Sequence, residues 1–457
     1  MSRLHAALAQ AATGETSVAR RTELVRRFEL APAEAAVLLA IEEAALERYA
    51  GSLVGKRRGE LERVVPLTRR VCPDLGARYV RWLAEHPAAP RDDVLAPGEA
   101  EALRALPELA AELEADESLV AYAADLLRFE VLRTCSRRDG ERRELVTGIA
   151  LSQVLADLER GLVPTEAAPH AETHRFSFPR TEGSAAGLRE STRHFVGAGI
   201  GYRARYREGL LSGDGVPQVL ELVPDHFFAR PEAIGALAER FSLVFHDVGL
   251  SLGTLDRRDE VVRARLRRLR TLVERARPLV FSDHLALTRS SRVDLGHLCP
   301  LWMTRAVLSE VVDAARFVQD ELGMGLSLEN IALPFLLDGA DYEEPEFFHE
   351  LGERAGVGLL LDVSNLLVNA RNFGFAAEEM LERYPLERVS VIHLAGSRSE
   401  RGFEVDSHDA PVSDASYALV RQALVRARPR AIIVERDERM PALAELLDEA
   451  RRAEALA

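Results

Sequence analysis

A chain of 457 residues has room for two domains, and its 47% hydrophobic and 29% charged content is that of a globular protein with a sizeable core. Its formal charge of −14, from 59 basic and 73 acidic residues, argues against a general nucleic-acid surface. Cys72, Cys135 and Cys299 offer neither a disulfide framework nor a Cys-x-x-Cys pair. No signal core and no run of about 18 apolar residues is visible, so a cytoplasmic protein with no membrane partner is expected.

Residues 1–160 read as an all-α domain. Pro32 suits a first helical turn before the Ala-rich stretch from Ala33 to Leu53, which Gly55 and Gly59 are expected to break. A second helix is expected through Leu61, Val64, Val65 and Leu67. Pro73-Asp74 opens a third, with Leu75, Tyr79 and Leu83 at helical spacing, and Pro87 and Pro90 stop it. Beyond Pro97 and Pro107, Leu119, Tyr122, Leu126 and Phe129 share one helix face, and a last helix is expected to carry Leu145, Ile149, Leu155 and Leu158. No chemical constellation stands out here, and Cys72, His86 and Cys135 read as ordinary residues. Pro164, Pro169, Pro179, Gly183 and Gly187 mark residues 161–191 as a linker, within which the alternation from His174 to Phe178 suits a short edge strand.

Residues 192–457 alternate strand and helix. Eight strands are expected near 199–203, 218–223, 242–246, 279–284, 325–330, 357–362, 389–394 and 431–436. The pattern predicts a (β/α)8 TIM-type barrel, a fold whose active sites lie at the strand C-termini. Six of these apolar runs end in a metal-type ligand. His246, His284, Glu329, Asp362, His393 and Glu435 are the residues, and Asp406 and His408 follow in the loop after the seventh strand. Taken alone, a strand-end His is usually structural and a strand-end Asp usually caps the next helix. Their agreement in position predicts a catalytic face.

Four carboxylates and four imidazoles converging there could not all keep their charges without cations. A thiolate-free N/O set suits iron, manganese or zinc, and eight ligands imply two or three ions with bridging carboxylates.

Residues 197 to about 450 resemble the multinuclear non-heme iron-dependent oxidative enzymes, barrel proteins that modify ribosomally made precursor peptides, as in methanobactin biosynthesis. The resemblance is carried by Gly199-Ile200-Gly201-Tyr202-Arg203, Glu221-Leu222-Val223-Pro224, the His246 to Gly253 stretch, Ser282-Asp283-His284-Leu285 and Leu328-Glu329-Asn330. It continues through Leu361-Asp362-Val363-Ser364-Asn365, Ile392-His393-Leu394-Ala395-Gly396, Asp406-Ser407-His408 and Glu435-Arg436-Asp437. It implies that the eight residues named above ligate two or three iron ions (Fe2+/Fe3+), with O2 as co-substrate. The implied reaction is oxidative rearrangement of a peptide residue, most often Cys. Asp437 is then placed to serve as a base, its plainer reading being a surface or helix-capping aspartate.

Two positions depart from the family pattern. Asp247 stands where Gly is usual and adds a carboxylate near the site, and Phe373 stands where His is expected. Such enzymes usually work with a separate partner protein that recruits the precursor's leader. The helical first part of this chain is expected to replace it in cis, which would raise the effective concentration of the peptide. The competing readings are a Zn- or Mn-dependent barrel hydrolase or a sugar isomerase or endonuclease, and a non-catalytic peptide-binding assembly protein.

Overall fold

The structure, a computed structural model, describes residues 3–86, 97–116, 118–139, 143–160, 162–164, 169–176, 195–213, 216–290, 293–400 and 402–457. Eight parallel strands close into a barrel: β1 Gly197–Gly201, β2 Val219–Leu222, β3 Ser242–His246, β4 Val280–His284, β5 Leu326–Glu329, β6 Gly358–Asp362, β7 Val389–Leu394 and β8 Ala431–Val434. They pair in sequence order, and β8 returns to β1. All eight fall where the sequence places them. The strands are short apolar runs because both faces are covered, by helices outside and by neighbouring side chains inside.

Period-two alternation divides each strand between the two sides. Val219, Val244, Val280, Leu360, Val391, Ala431 and Ile433 form a separate apolar cluster distinct from the main core. They plug one end of the barrel. Two residues further along the same strands stand Glu221, His246, Ser282, Asp362, His393 and Glu435. One parity of the strands therefore supplies an apolar floor and then an ionisable layer at the C-terminal end.

Close strand approach needs glycine at one position. A Cβ on Gly199 would stand 2.1 Å from the Val219 carbonyl oxygen on β2. The same constraint holds at Gly396, where a Cβ would lie 2.0 Å from the carbonyl oxygen of Ala410. Gly396→Ala is expected to push aside the loop that carries Asp406 and His408. Metal stoichiometry of the purified variant, against an unchanged far-UV spectrum, checks this.

Among the described residues before the barrel, the elements are helices apart from one two-stranded sheet. Strand Arg143–Ile149 pairs antiparallel with Pro169–Phe176, and helix Leu151–Glu159 lies between them. The helix expected through Leu145 and Ile149 is thus a strand in its first half. Leu145 and Thr147 are buried while Glu144 and Val146 are exposed, a period of two that the longer helical spacing concealed. The expected strand at 174–178 begins earlier, at Pro169, and residues 177 and 178 lie outside the described residues, as does most of the linker, with Pro87 and Pro90.

Gly55 and Gly59 do not break the chain. Helix Glu43–Val64 runs through both, and the interruption falls at residues 41–42. There the buried Arg21 guanidinium donates to the carbonyls of Leu38, Leu39 and Ile41 and caps the end of helix Pro32–Ala40. Each interior glycine costs about 1 kcal/mol of propensity, which packing at both ends of the helix outweighs. Pro107 also lies inside a helix, Pro97–Ala115, whose Ala102, Ala105, Leu109 and Ala110 are buried.

Residues from Leu4 to Leu53 share the hydrophobic core of the barrel helices, while those from Leu61 to Leu158 form a second core. No helix among the described residues is long and apolar enough to cross a membrane.

Candidate metal centre

At the C-terminal mouth the strand ends bring two groups of ligand-type atoms together, and Glu329 belongs to both. One group is His246, His284 and Glu329; the other is Glu329, Asp362, His393 and Glu435. Glu329 Oε2 lies 3.1 Å from His246 Nε2 and 3.3 Å from His284 Nε2, and the two imidazole nitrogens are 3.3 Å apart. Its other oxygen, Oε1, lies 3.5 Å from His393 Nδ1, which is 3.0 Å from Glu435 Oε2. Asp406 and His408 meet at 2.7 Å, and His408 Nδ1 stands 3.8 Å from Glu435. This pair flanks the second group and is outside both tight sets.

The neighbours of each imidazole decide which nitrogen faces the centre. Glu221 accepts from His393 Nε2 at 2.7 Å, so Nδ1 is turned inward. Ser282 Oγ lies 3.0 Å from His246 Nδ1, and Asp283 lies 3.3 Å from His284 Nδ1, which leaves both Nε2 atoms facing Glu329. Asp362 divides its carboxylate. Oδ1 accepts from the backbone N–H groups of Ser364 and Asn365 and caps helix Val363–Phe373, while Oδ2 has no hydrogen bond. Capping and clustering are both served by one residue.

Asparagines tie the loops together behind this layer. Asn330 donates to the Asp362 carbonyl and accepts its N–H, Asn365 donates to the Asn330 carbonyl, and Asn369 bridges Ile331 and Leu333. His408 itself stands at φ +48°, a left-handed conformation unusual for a non-glycine residue.

Electrostatics keep the cluster in opposite charges. Burial opposes the imidazolium of His246, yet Glu329 outweighs it and raises the pKa to about 9. Burial likewise opposes ionisation of Glu329, but His284, His393 and His246 hold its carboxyl well below the usual range. Glu435, buried too, is drawn down to about 2 by His393 and His408. Asp362 goes the other way: burial raises its pKa, and Glu329 and Asp406 push in the same direction.

These shifts set a pH window for chelator-stripped protein. The His246 contribution to stability is complete below about pH 6.5, its unfolded value, and is lost as pH rises through about 9. The Glu435 contribution is present above about pH 4.5 and is lost as pH falls towards about 2. Tm of stripped protein is expected to be highest between those limits and to fall on the alkaline side, where loading with metal should restore it. Calorimetry from pH 5 to 9 with and without metal checks this.

The donor atoms suit metal ions. Glu329 Oε2, Asp362 Oδ2, His393 Nδ1, Asp406 Oδ1 and both ring nitrogens of His408 are buried without a hydrogen bond. Buried polar atoms are normally satisfied, so this many orphans on one face need partners of another kind. Ligands about 2.1 Å from an ion stand about 3.0–3.4 Å apart, the spacing of the His246, His284 and Glu329 atoms.

The family model described as RiPP precursor modification enzyme MbnB/TglH/ChrH matches residues 197–457. The chain belongs to this family. Among relatives of the MbnB/TglH/ChrH barrel, a UPF0276 protein of Rhizorhabdus wittichii is 37% identical over 257 residues, covering 55% of this chain and 91% of the relative. One of Chromobacterium violaceum is 36% identical over 264 residues, covering 56% and 94%. Solved structures with lower similarity include a D-psicose 3-epimerase (15% identity, TM-score 0.35, 57% of this chain and 97% of that chain) and endonuclease IV from Thermus thermophilus (19%, 0.35, 57% and 97%). The MbnB/TglH/ChrH family modifies RiPP precursors, so its substrate class is a precursor peptide, and its chemistry is metal-dependent.

Asp247, close to the ligands in sequence, does not face the centre. It is fully buried and paired with Arg265, which also binds Asp225 at 2.7 Å. Phe373 packs edge-on against Phe403, with ring centroids 6.4 Å apart, at the rim of the mouth. Trp302 is a loop anchor, its Nε1 donating to the Asp338 carbonyl at 3.0 Å. Asp437 is exposed at the rim, paired with Arg203 and 3.4 Å from His408 Nδ1.

Glu221 is the residue the sequence argument passed over. It stands two positions after the floor residue Val219, in the same parity as His246, Asp362, His393 and Glu435 after theirs, so the strand period carried the signal. Glu221→Gln keeps the shape and removes the charge that orients His393. Metal affinity is expected to fall about 10–100-fold, the range for such supporting contacts, and competition with a chromophoric chelator measures it.

Proposed function

We propose that the chain is an iron- and O2-dependent enzyme that oxidatively modifies a residue, most often Cys, of a ribosomally made precursor peptide. The observation that carries this reading is the pair of ligand groups sharing Glu329, all N and O donors, at the open end of the barrel. Such a donor set suits iron, and a carboxylate with one oxygen toward each group suits a bridge between ions. We assign His246, His284, Glu329, Asp362, His393, Asp406, His408 and Glu435 as the ligands of two or three iron ions. Bound there, iron would supply O2 reduction and Lewis acidity toward a substrate thiol.

The chain's own residues hold this arrangement ready. Glu221, Ser282 and Asp283 fix the ring orientations, and the Asp362 cap ties the second group to helix Val363–Phe373. Asp437 is the candidate base. It is exposed at the rim of the barrel mouth, where Arg203 pairs with its carboxylate. The helical N-terminal region is the candidate for leader recruitment in place of a separate partner protein. An extended leader could add a strand to the sheet formed by Arg143–Ile149 and Pro169–Phe176.

Metal analysis of anaerobically purified chain, paired with O2 uptake in the presence of Fe(II) and the peptide encoded beside its gene, tests the reading. Two to three irons per chain with peptide-dependent O2 consumption is the expected result. Stoichiometric zinc or manganese without O2 use would overturn it in favour of a hydrolase or isomerase.

A further inference from the structure

The loop that carries Asp406 and His408 pairs its residues alternately. Asp406 and His408 meet at 2.7 Å beside Glu435, and Ser407 Oγ donates to Asp409 Oδ1 at 2.5 Å. Asp409 belongs to neither ligand group. Its side chain is 1% exposed, and its other oxygen, Oδ2, accepts from Arg398 Nη1 at 2.6 Å and lies 3.4 Å from Arg439 Nε. Both oxygens are committed, so Asp409 is not itself a candidate ligand. A buried carboxylate must be compensated by cations and donors, and here every compensating group comes from a loop at the mouth.

Those partners join two strand ends. Arg398 opens the hairpin of Arg398–Glu400 and Phe403–Val405, which leads from β7 and His393 to Asp406. Glu400 pairs with Arg398 as well, so the guanidinium is held from two directions. Arg439 stands on the loop after β8, four residues beyond Glu435. The two backbones meet at the same point, where the Asp437 N–H donates to the His408 carbonyl at 3.0 Å. His408 and Arg439, at φ +48° and +44°, are both left-handed, and such residues persist only where surrounding contacts over-determine them. Asp409 serves both, because it follows His408 directly and holds the Arg439 side chain.

We propose that Asp409 is a positioning residue, a clamp between the loops after β7 and β8 that sets the aim of Asp406 and His408 beside Glu435. The clamp stands on these contacts alone; its effect on metal rests on the ligand assignment proposed above. A rigid mount matters because His408 Nδ1 stands 3.8 Å from Glu435, outside the tight sets. A small rotation of its loop therefore decides whether it shares an ion with them.

The test uses the full-length chain, stripped of metal, as wild type, Asp409→Asn and Arg398→Ala. Asp409→Asn keeps the shape and removes the charge. Arg398 is partly exposed and its replacement should fold, which keeps the test decisive if the buried substitution does not. Amide hydrogen exchange is read by mass spectrometry on peptides covering 403–412 and 435–441. Both segments should exchange several-fold faster in the two variants, with the barrel strands unchanged. Exchange equal to wild type would overturn the clamp. In the second arm these proteins and His408→Ala are titrated with Co(II) by equilibrium dialysis. His408→Ala should lose one ion. Asp409→Asn and Arg398→Ala should bind that ion about tenfold more weakly, the low end of the range for contacts that orient a ligand, and leave the other ions as in wild type. Weakening of every ion alike, as a merely structural residue would give, would overturn the positioning role, and so would no weakening while His408→Ala loses an ion. Wild-type Co(II) binding in His408→Ala, with exchange raised in the other two variants, would overturn the ligand assignment and leave the clamp supported.

Discussion

Glu329→Ala is expected to abolish peptide modification and to remove most of the bound metal, the largest effect of any single substitution in the chain. The reason is its place in both ligand groups, with Oε2 between His246 and His284 and Oε1 toward His393. No other candidate ligand belongs to both groups. Its loss also strands two buried imidazoles, His246 and His393, whose charged forms Glu329 supports, because burial alone would drive their pKa values down. Metal content by mass spectrometry should fall by more than one ion per chain, whereas His284→Ala should affect only the first group. Equal metal content in Glu329→Ala and wild type would refute the shared-ligand arrangement. Glu329→Gln separates charge from shape, and its metal content should lie between the two.

Arg265→Ala is expected to be the most destabilising change away from the ligands. Arg265 is 1% exposed and paired with Asp247, fully buried, and with Asp225. Removing the guanidinium leaves Asp247 as an uncompensated charge in the interior, a situation that typically costs about 3–5 kcal/mol. The guanidinium also stacks 5.3 Å from the Phe228 ring centroid, so packing is lost with the charge. Urea denaturation should show the midpoint shift. Arg265→Ala paired with Asp247→Asn should recover part of the loss, because the stranded charge goes with its partner. A loss of metal without a loss of stability would instead place Asp247 at the metal centre, as its position in sequence suggests.

Asp247 shows where linear reasoning reached its limit. It follows His246 directly, yet adjacent residues at a strand end face opposite sides, so the neighbour of an inward ligand faces outward toward a helix. Helix Glu260–Ala276 carries Arg265 to meet it, a contact 18 residues away that periodicity cannot show. Glu221 is the opposite case. Its parity was readable, but its partner is His393, 172 residues away across the closed barrel. The N-terminal elements depart from the sequence expectation where local signals are weak: Gly55 and Gly59 argue for a break that packing overrides, and Leu145 to Leu158 contains both a period of two and a helical one.

What the sequence determined by itself is the barrel and the layer of ionisable residues at one end of it. Both follow from strand period, since apolar runs buried on two faces leave little freedom of register, and every second residue must point inward. Only the tertiary structure decided which inward residues share a centre. Closure of β8 on β1 brings Glu435 to His393 and Glu221 behind it, and the two carboxylate oxygens of Glu329 fall between two sets of imidazoles. The placement of Tyr49 was likewise decided there, because a helix of the N-terminal region meets the barrel through packing between residues some 250 positions apart, 49 and 297, and no local pattern records such a contact.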